Sequence, residues 1–336
     1  MNFNTIAVLS ISGILGAALP APAVAAPQER LQKTTPADSW NALRDAVDTG
    51  LFSYVAQSDE MSEAEIDGLA ETLLDAGRVQ LRLVTGPATD TSRFYQGMSD
   101  PSATLEIDPQ ARAAYFSKGY AQFLGEQSTP NLPRSLEAPR FAMKLLEDLQ
   151  LVPQNRDELV VEHVGGVDMG VRREDGSTET FKKQVTVRYG RVLDGLPVRG
   201  SGSRIVVRMG AEGELAGVIY NWQELERRPI PAAQRLSGPE MMALVRARVL
   251  QIEADTVLTE IEAAELVLFD DGQGVLEPAI HVILQLTMEY TTTNANGVQV
   301  QETMQNPYDF FLPLVRHPRA QFPMLQKPAP RPQEAP

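Results

Sequence analysis

The 336-residue chain contains no cysteine. That excludes disulfide cross-links, thiol nucleophiles and zinc–thiolate centres in one step. Histidine is almost as scarce. Only His163, His281 and His317 occur, too few for a multi-histidine metal site. Positive charge is in deficit, with 30 Lys+Arg against 44 Asp+Glu and a net charge of −14. Nucleic-acid phosphates and anionic lipid surfaces are bound through Lys and Arg, so neither is an expected partner. Long apolar runs are missing too: the stretch 6–19 is too short to cross a bilayer, and no later run reaches that length. What is present is 43% hydrophobic content, enough to bury a substantial core.

The run 6–19 has the length of a signal-peptide core, although the first basic residue, Arg30, comes only after it. Ala23-Val24-Ala25 follows with small residues at the two positions a signal peptidase reads, so cleavage is expected after Ala25. The expectation is a signal peptide over 1–25 and a mature protein, periplasmic or extracellular, without a membrane span.

Three helix starts are legible. Ser62-Glu63-Ala64-Glu65 is a capping box, with Met61 and Ile66 placed as a hydrophobic staple and Gly77 placed to end the helix. A second helix follows Pro139, with an apolar stripe of Phe141, Ala142, Leu145, Leu146 and Leu149. A third starts at Ser237-Gly238-Pro239-Glu240, with Met241, Leu244, Val245, Val249 and Ile252 on one face. A further helix is expected near 39–47. Between these, 181–189, 204–209 and 280–290 alternate apolar and polar residues, the mark of strands with one buried face in antiparallel sheets. Asp175-Gly176, Asp271-Gly272 and Asn296-Gly297 read as tight turns.

The pattern helix, strand, turn, strand recurs three times, with hairpins at 103–117, 204–221 and 265–283. The expected fold class is α+β, built as three lobes in which a helix covers an antiparallel sheet. They span 26–130, 131–234 and 235–318, with Pro-rich linkers at 127–139 and 227–234. A Pro-rich tail at 319–336 is expected to be extended and mobile.

The stretch 185–221, VTVRYGRVLDGLPVRGSGSRIVVRMGAEGELAGVIYN, resembles the propeptide modules of thermolysin- and fungalysin-type metalloproteases. The residues that carry the resemblance are a strand, the turn Gly195-Leu196-Pro197-Val198, then Gly200 and a strand–turn–strand. The following stretch, 236–286, is similar to a PepSY domain. Together the likeness covers about 138–290. It implies a non-catalytic module that binds a protease domain as inhibitor or chaperone, yet no His-Glu-x-x-His occurs in this sequence. Independently of the family, Gly195, Pro197, Val198 and Gly200 read as a structural bend, because proline and glycine in a strand mark bends and edges.

No reactive constellation is apparent. His163, His281 and His317 show no acidic or histidine partner on a common face, and each is expected to be exposed or locally bonded. Ser201 lies in Gly-Ser-Gly without a nucleophile-elbow frame. Asp270, Asp271 and Glu277 lack EF-hand spacing. Trp222 and Tyr220 are expected to serve sheet packing. No catalytic, cofactor or metal residues are therefore assigned. The leading expectation is an exported, non-enzymatic protein that binds another exported protein, a secreted metalloprotease in the specific form, through exposed sheet edges. A glycan or peptide polymer of the cell envelope is the second expectation, and a hydrolase using unrecognised carboxylates the third.

Overall fold

The computed structural model describes residues 7–10, 50–57, 60–84, 92–119, 123–173, 175–253, 258–293 and 299–323. The cleavage residues Ala23 and Ala25, the helix expected at 39–47 and the Asn296-Gly297 turn lie outside them. The protein is α+β: every strand pairing given below is antiparallel, and three helices occur among the described residues. The chain divides into two compact units, one of 1–20, 56–225 and 272–274, the other of 21–55, 226–271 and 275–336.

Among its described residues, the first unit is a long sheet with two helices. In chain order its strands are β1 (Ala7–Ser10), β3 (Leu81–Val84), β4 (Arg93–Gly97), β5 (Thr104–Asp108), β6 (Ala113–Ser117), β7 (Leu159–Arg172), β8 (Thr178–Leu193), β9 (Leu196–Gly200), β10 (Arg204–Met209) and β11 (Leu215–Asn221). They pair in the order β1-β7-β8-β10-β11-β6-β5-β4-β3, with β9 folded back on the end of β8; β1 lies within the stretch 1–25 read as a signal peptide, so a chain cleaved after Ala25 would begin this order at β7. The pairing of β11 with β6, Val218 opposite Phe116, joins strands from the stretches 26–130 and 131–234 in one sheet.

Helix α1 (Glu63–Gly77) begins as its residues dictate. The Ser62 amide donates to Glu65 at 2.8 Å, and the Glu65 amide donates to the Ser62 hydroxyl at 3.3 Å. A hydrogen bond from Arg112, then those from Ser62, hold the Glu65 carboxyl down at about 2. The end differs from expectation. Gly77 is the last helical residue and Arg78 takes the left-handed conformation, at φ 52°. Gly77 is needed for another reason: a Cβ there would sit 2.3 Å from Cζ of Phe116 on β6. Helix α2 (Ala138–Asp148) carries Pro139 in its first turn, where a missing N–H costs nothing. The Tyr189 hydroxyl on β8 donates to the Pro139 carbonyl at 2.8 Å and ties helix to sheet. Leu73, Ala142 and Leu146 from the helices meet Leu105, Phe116, Val187 and Ile205 from the strands, all fully buried. Each large apolar side chain so buried contributes about 1.5–3 kcal/mol.

The second unit contains β2 (Phe52–Ala56), β12 (Leu225–Pro229), α3 (Gly238–Glu253), β13 (Leu258–Asp270), β14 (Val275–Thr293) and β15 (Gln299–Pro313). Strand β14 is central. It pairs with β13 on one side and β15 on the other, and its first residues pair with β2. Met241, Val245 and Ile252 of α3 pack on Ile280, Val282 and Leu284, one face of the alternation in β14. The opposite face is covered by the residues after β15, where Ala320 joins Val267, Phe269 and Ala279. Over 319–323, then, the stretch read as the start of a mobile tail is seated on the sheet.

Candidate functional site

Both helices of the first unit pack on the face of its sheet formed by Val187, Ile205, Val207 and Val218. The other face follows from strand alternation. Register places Arg188 of β8 beside His163 of β7 and Val206 of β10, and Arg208 beside Thr186 and Gly217. Ile219 continues the row to Tyr115. This face therefore presents Arg188, Arg204, Arg208 and Tyr115 in a molecule with a net charge of −14.

Its electrostatics are unbalanced. Arg208 lies over the Tyr115 ring at 5.5 Å and donates to the phenol oxygen at 3.4 Å. The Nε of Arg188 lies 2.9 Å from Glu162, an ion pair whose geometry makes no hydrogen bond, and the other oxygen of Glu162 pairs with Arg199 at 2.6 Å. Arg204 has no ion pair among the described residues. Burial, and then the charge of Arg188, push its pKa below the ordinary guanidinium value. The Nε atoms of Arg188 and Arg204, and Nε2 of Gln184 on the same face, are buried donors without a hydrogen-bond acceptor. An unmatched donor costs about 1–3 kcal/mol. A carboxylate brought to the exposed ends of these guanidiniums would separate two like charges.

The turn of the propeptide-like motif is two residues earlier than its sequence implies, at 193–196. Asp194 and Gly195, at φ 50° and 78°, form the two-residue turn, and Leu193 pairs with Leu196. Positive φ at both positions matches the right-handed twist of the flanking strands. Pro197, Val198 and Gly200 lie in β9, with Pro197 opposite Val192 and Val198 buried.

The histidines divide. His163 and His317 are exposed. His281 is buried and overturns the expectation that it stands apart from acids. Its Nδ1 lies 3.0 Å from Glu265 on β13 and its Nε2 lies 2.8 Å from Asp309 on β15. Its ring stacks on Phe311 at 4.4 Å and 9°. Burial disfavours the imidazolium, but the hydrogen bonds to both carboxylates outweigh it and the pKa is raised above 6.5. Two acceptor-only neighbours call for two ring N–H donors. Glu265 was findable: it sits opposite His281 across the hairpin 265–283. Asp309 was not, because the register of β15 leaves no local signal.

The remaining candidates are structural. Glu277 accepts the backbone amides of Arg319 and Ala320, and Asp271 accepts that of Gln321. Ser201 is exposed beside Gly272. Trp222 lies under Arg191 at 4.6 Å, and Tyr220 packs against the core of the first unit. Sequence reading missed Arg191, which is 1% exposed and bonded to Glu158 and the Gln223 carbonyl. A charged residue in an otherwise apolar position of β8 was the only signal.

No family model matches the chain, and no curated protein matches it. Among solved structures it is similar to an uncharacterised protein from Eubacterium rectale ATCC 33656, at 11% identity and a TM-score of 0.41, over 77% of this chain and 83% of that one. It is also similar to the Bacillus megaterium YpeB C-terminal domain, at 13% identity and a TM-score of 0.31, over 74% of this chain and all of that one.

Proposed function

We propose that this is an exported, non-catalytic binding protein with propeptide-like and PepSY-like modules, and that it receives an acidic segment of another exported protein on the arginine face of its first unit. The observation that carries the reading is the pair Arg188 and Arg204, two neighbouring guanidiniums whose Nε donors lack acceptors on a sheet face that neither helix of the unit covers. Complementary charge across an interface selects partners and speeds association. A secreted metalloprotease, inhibited or assisted in folding, is the specific partner proposed.

The test is binding of the purified chain to a panel of secreted metalloproteases, read by complex formation, residual proteolysis and refolding yield. At least one complex is expected, and Arg188→Glu/Arg204→Glu is expected to weaken it at least about tenfold by placing like charges in contact. No complex with any protease sinks the protease reading. Unchanged affinity of the double variant sinks the arginine face. Capture by an anionic cell-wall polymer, sensitive to the same variant, would replace the protein partner.

A further inference from the structure

The face of the second unit opposite α3 is covered by the chain's own segment 318–323, which is neither helix nor strand. Three kinds of contact hold it, one of them an ion pair between Arg319 Nε and Glu277 at 3.8 Å. Ala320 is 4% exposed in the cluster with Val267, Phe269 and Ala279, and Phe322 stacks on Phe269 at 4.5 Å and 23°. Three successive backbone amides are taken by carboxylates. Glu277, itself 4% exposed, accepts from Arg319 at 2.8 Å and from Ala320 at 3.1 Å, and Asp271 accepts from Gln321 at 2.7 Å.

This differs from ordinary core completion. Apolar contact alone would cover an apolar face, whereas a carboxylate buried among phenylalanines is costly unless donors arrive to meet it. Glu277 is matched to main-chain N–H groups, which every polypeptide except at proline supplies. The apolar contacts then select by size: a small side chain at one position, a flat aromatic ring two positions on. Main-chain hydrogen bonds for affinity, with side-chain contacts for choice, is the division of labour of extended-peptide recognition.

We propose that this groove is a peptide-docking site for an extended segment of the pattern small–x–aromatic, filled in cis by residues 318–323 and open to a partner segment of the same pattern when these are displaced. The tether acts as a competitor at an effective concentration of about millimolar, so a partner needs higher local concentration or better contacts. The inference is independent of the arginine face.

The probe is the labelled hexapeptide PRAQFP, the sequence of 318–323, added to the full chain. Fluorescence anisotropy should show binding to Ala320→Asp/Phe322→Ala, whose own segment is ejected, at least about tenfold tighter than to the unaltered protein. Adding Glu277→Gln should cut that binding at least about tenfold, because a charged acceptor of two amides is lost. In the unaltered protein, saturating peptide should speed hydrogen exchange at the amides of 319–321, a readout that stands if the variant fails to fold. Exchange there that ignores saturating peptide, or equal binding of a scrambled hexapeptide, overturns the proposal. So does a folded double variant that binds no peptide.

Discussion

Arg191 and His281 show how single charged groups are kept inside these units. Arg191 meets a carboxylate, a carbonyl and an indole face at once, so its burial is matched on three sides. Glu158→Gln removes the only charge of opposite sign from that set. It should cost about 2 kcal/mol in urea unfolding, less than for a fully buried pair because Glu158 keeps 24% exposure. Asp148→Asn, which breaks an exposed pair with Lys144, should cost under about 0.5 kcal/mol. For His281 the sign follows from its raised pKa. The folded state holds a proton that the unfolded chain releases at 6.5. The contribution is complete below that value and is lost as pH rises above it, through the higher folded-state value. The urea midpoint should therefore fall with rising pH across this window, and His281→Gln should flatten the dependence. A profile identical in both proteins would show that His281 does not set the dependence.

At the scale of elements, α1 supplies a matched pair of glycines. Gly77→Ala drives a methyl into the Phe116 ring, 2.3 Å from Cζ, and should destabilise by about 1–3 kcal/mol. Gly68→Ala, on the same helix, meets nothing within 4 Å and should stabilise by about 0.5–1 kcal/mol. Melting curves of the two variants should shift in opposite directions. This contrast marks what was legible in the residues. Helix starts, hairpins and the buried stripes follow from local pattern: Ser62 and Glu65 find each other within one turn, and Val185, Val187 and Tyr189 share a face whatever lies beside them. Gly77 shows the limit. A glycine at a helix end reads as a cap, and only the packing of α1 on the sheet brings Phe116 of β6 into its place. The arginine face was half legible: alternation separates Arg188, Arg204 and Arg208 from the apolar face, but nothing local shows which strands become neighbours. Likewise, the stretch read as a Pro-rich tail has a composition typical of mobile chain, and the seat of Ala320 depends on a groove built from three distant strands.

Across the first unit, charge is sorted by side. A groove between α1 and α2 is lined by Glu71, Asp75, Asp148 and Glu214 with Arg78, while the far face of the sheet carries Arg188, Arg204 and Arg208. A chain this acidic repels acidic partners at long range, so an acidic segment must be drawn in by the local field of one face. Complexes formed there should weaken as salt rises from about 50 mM to about 500 mM, since the screening length then falls from over 10 Å to a few ångströms. A salt-independent affinity, measured by titration, would argue for an apolar contact instead.

Among the described residues β15 pairs with β14 alone, through fifteen positions, yet it contains Pro307, opposite Gln285. Proline has no N–H, so at this position the strand offers no donor to a neighbour on either side. The rim of this sheet thus resists templating a copy of itself.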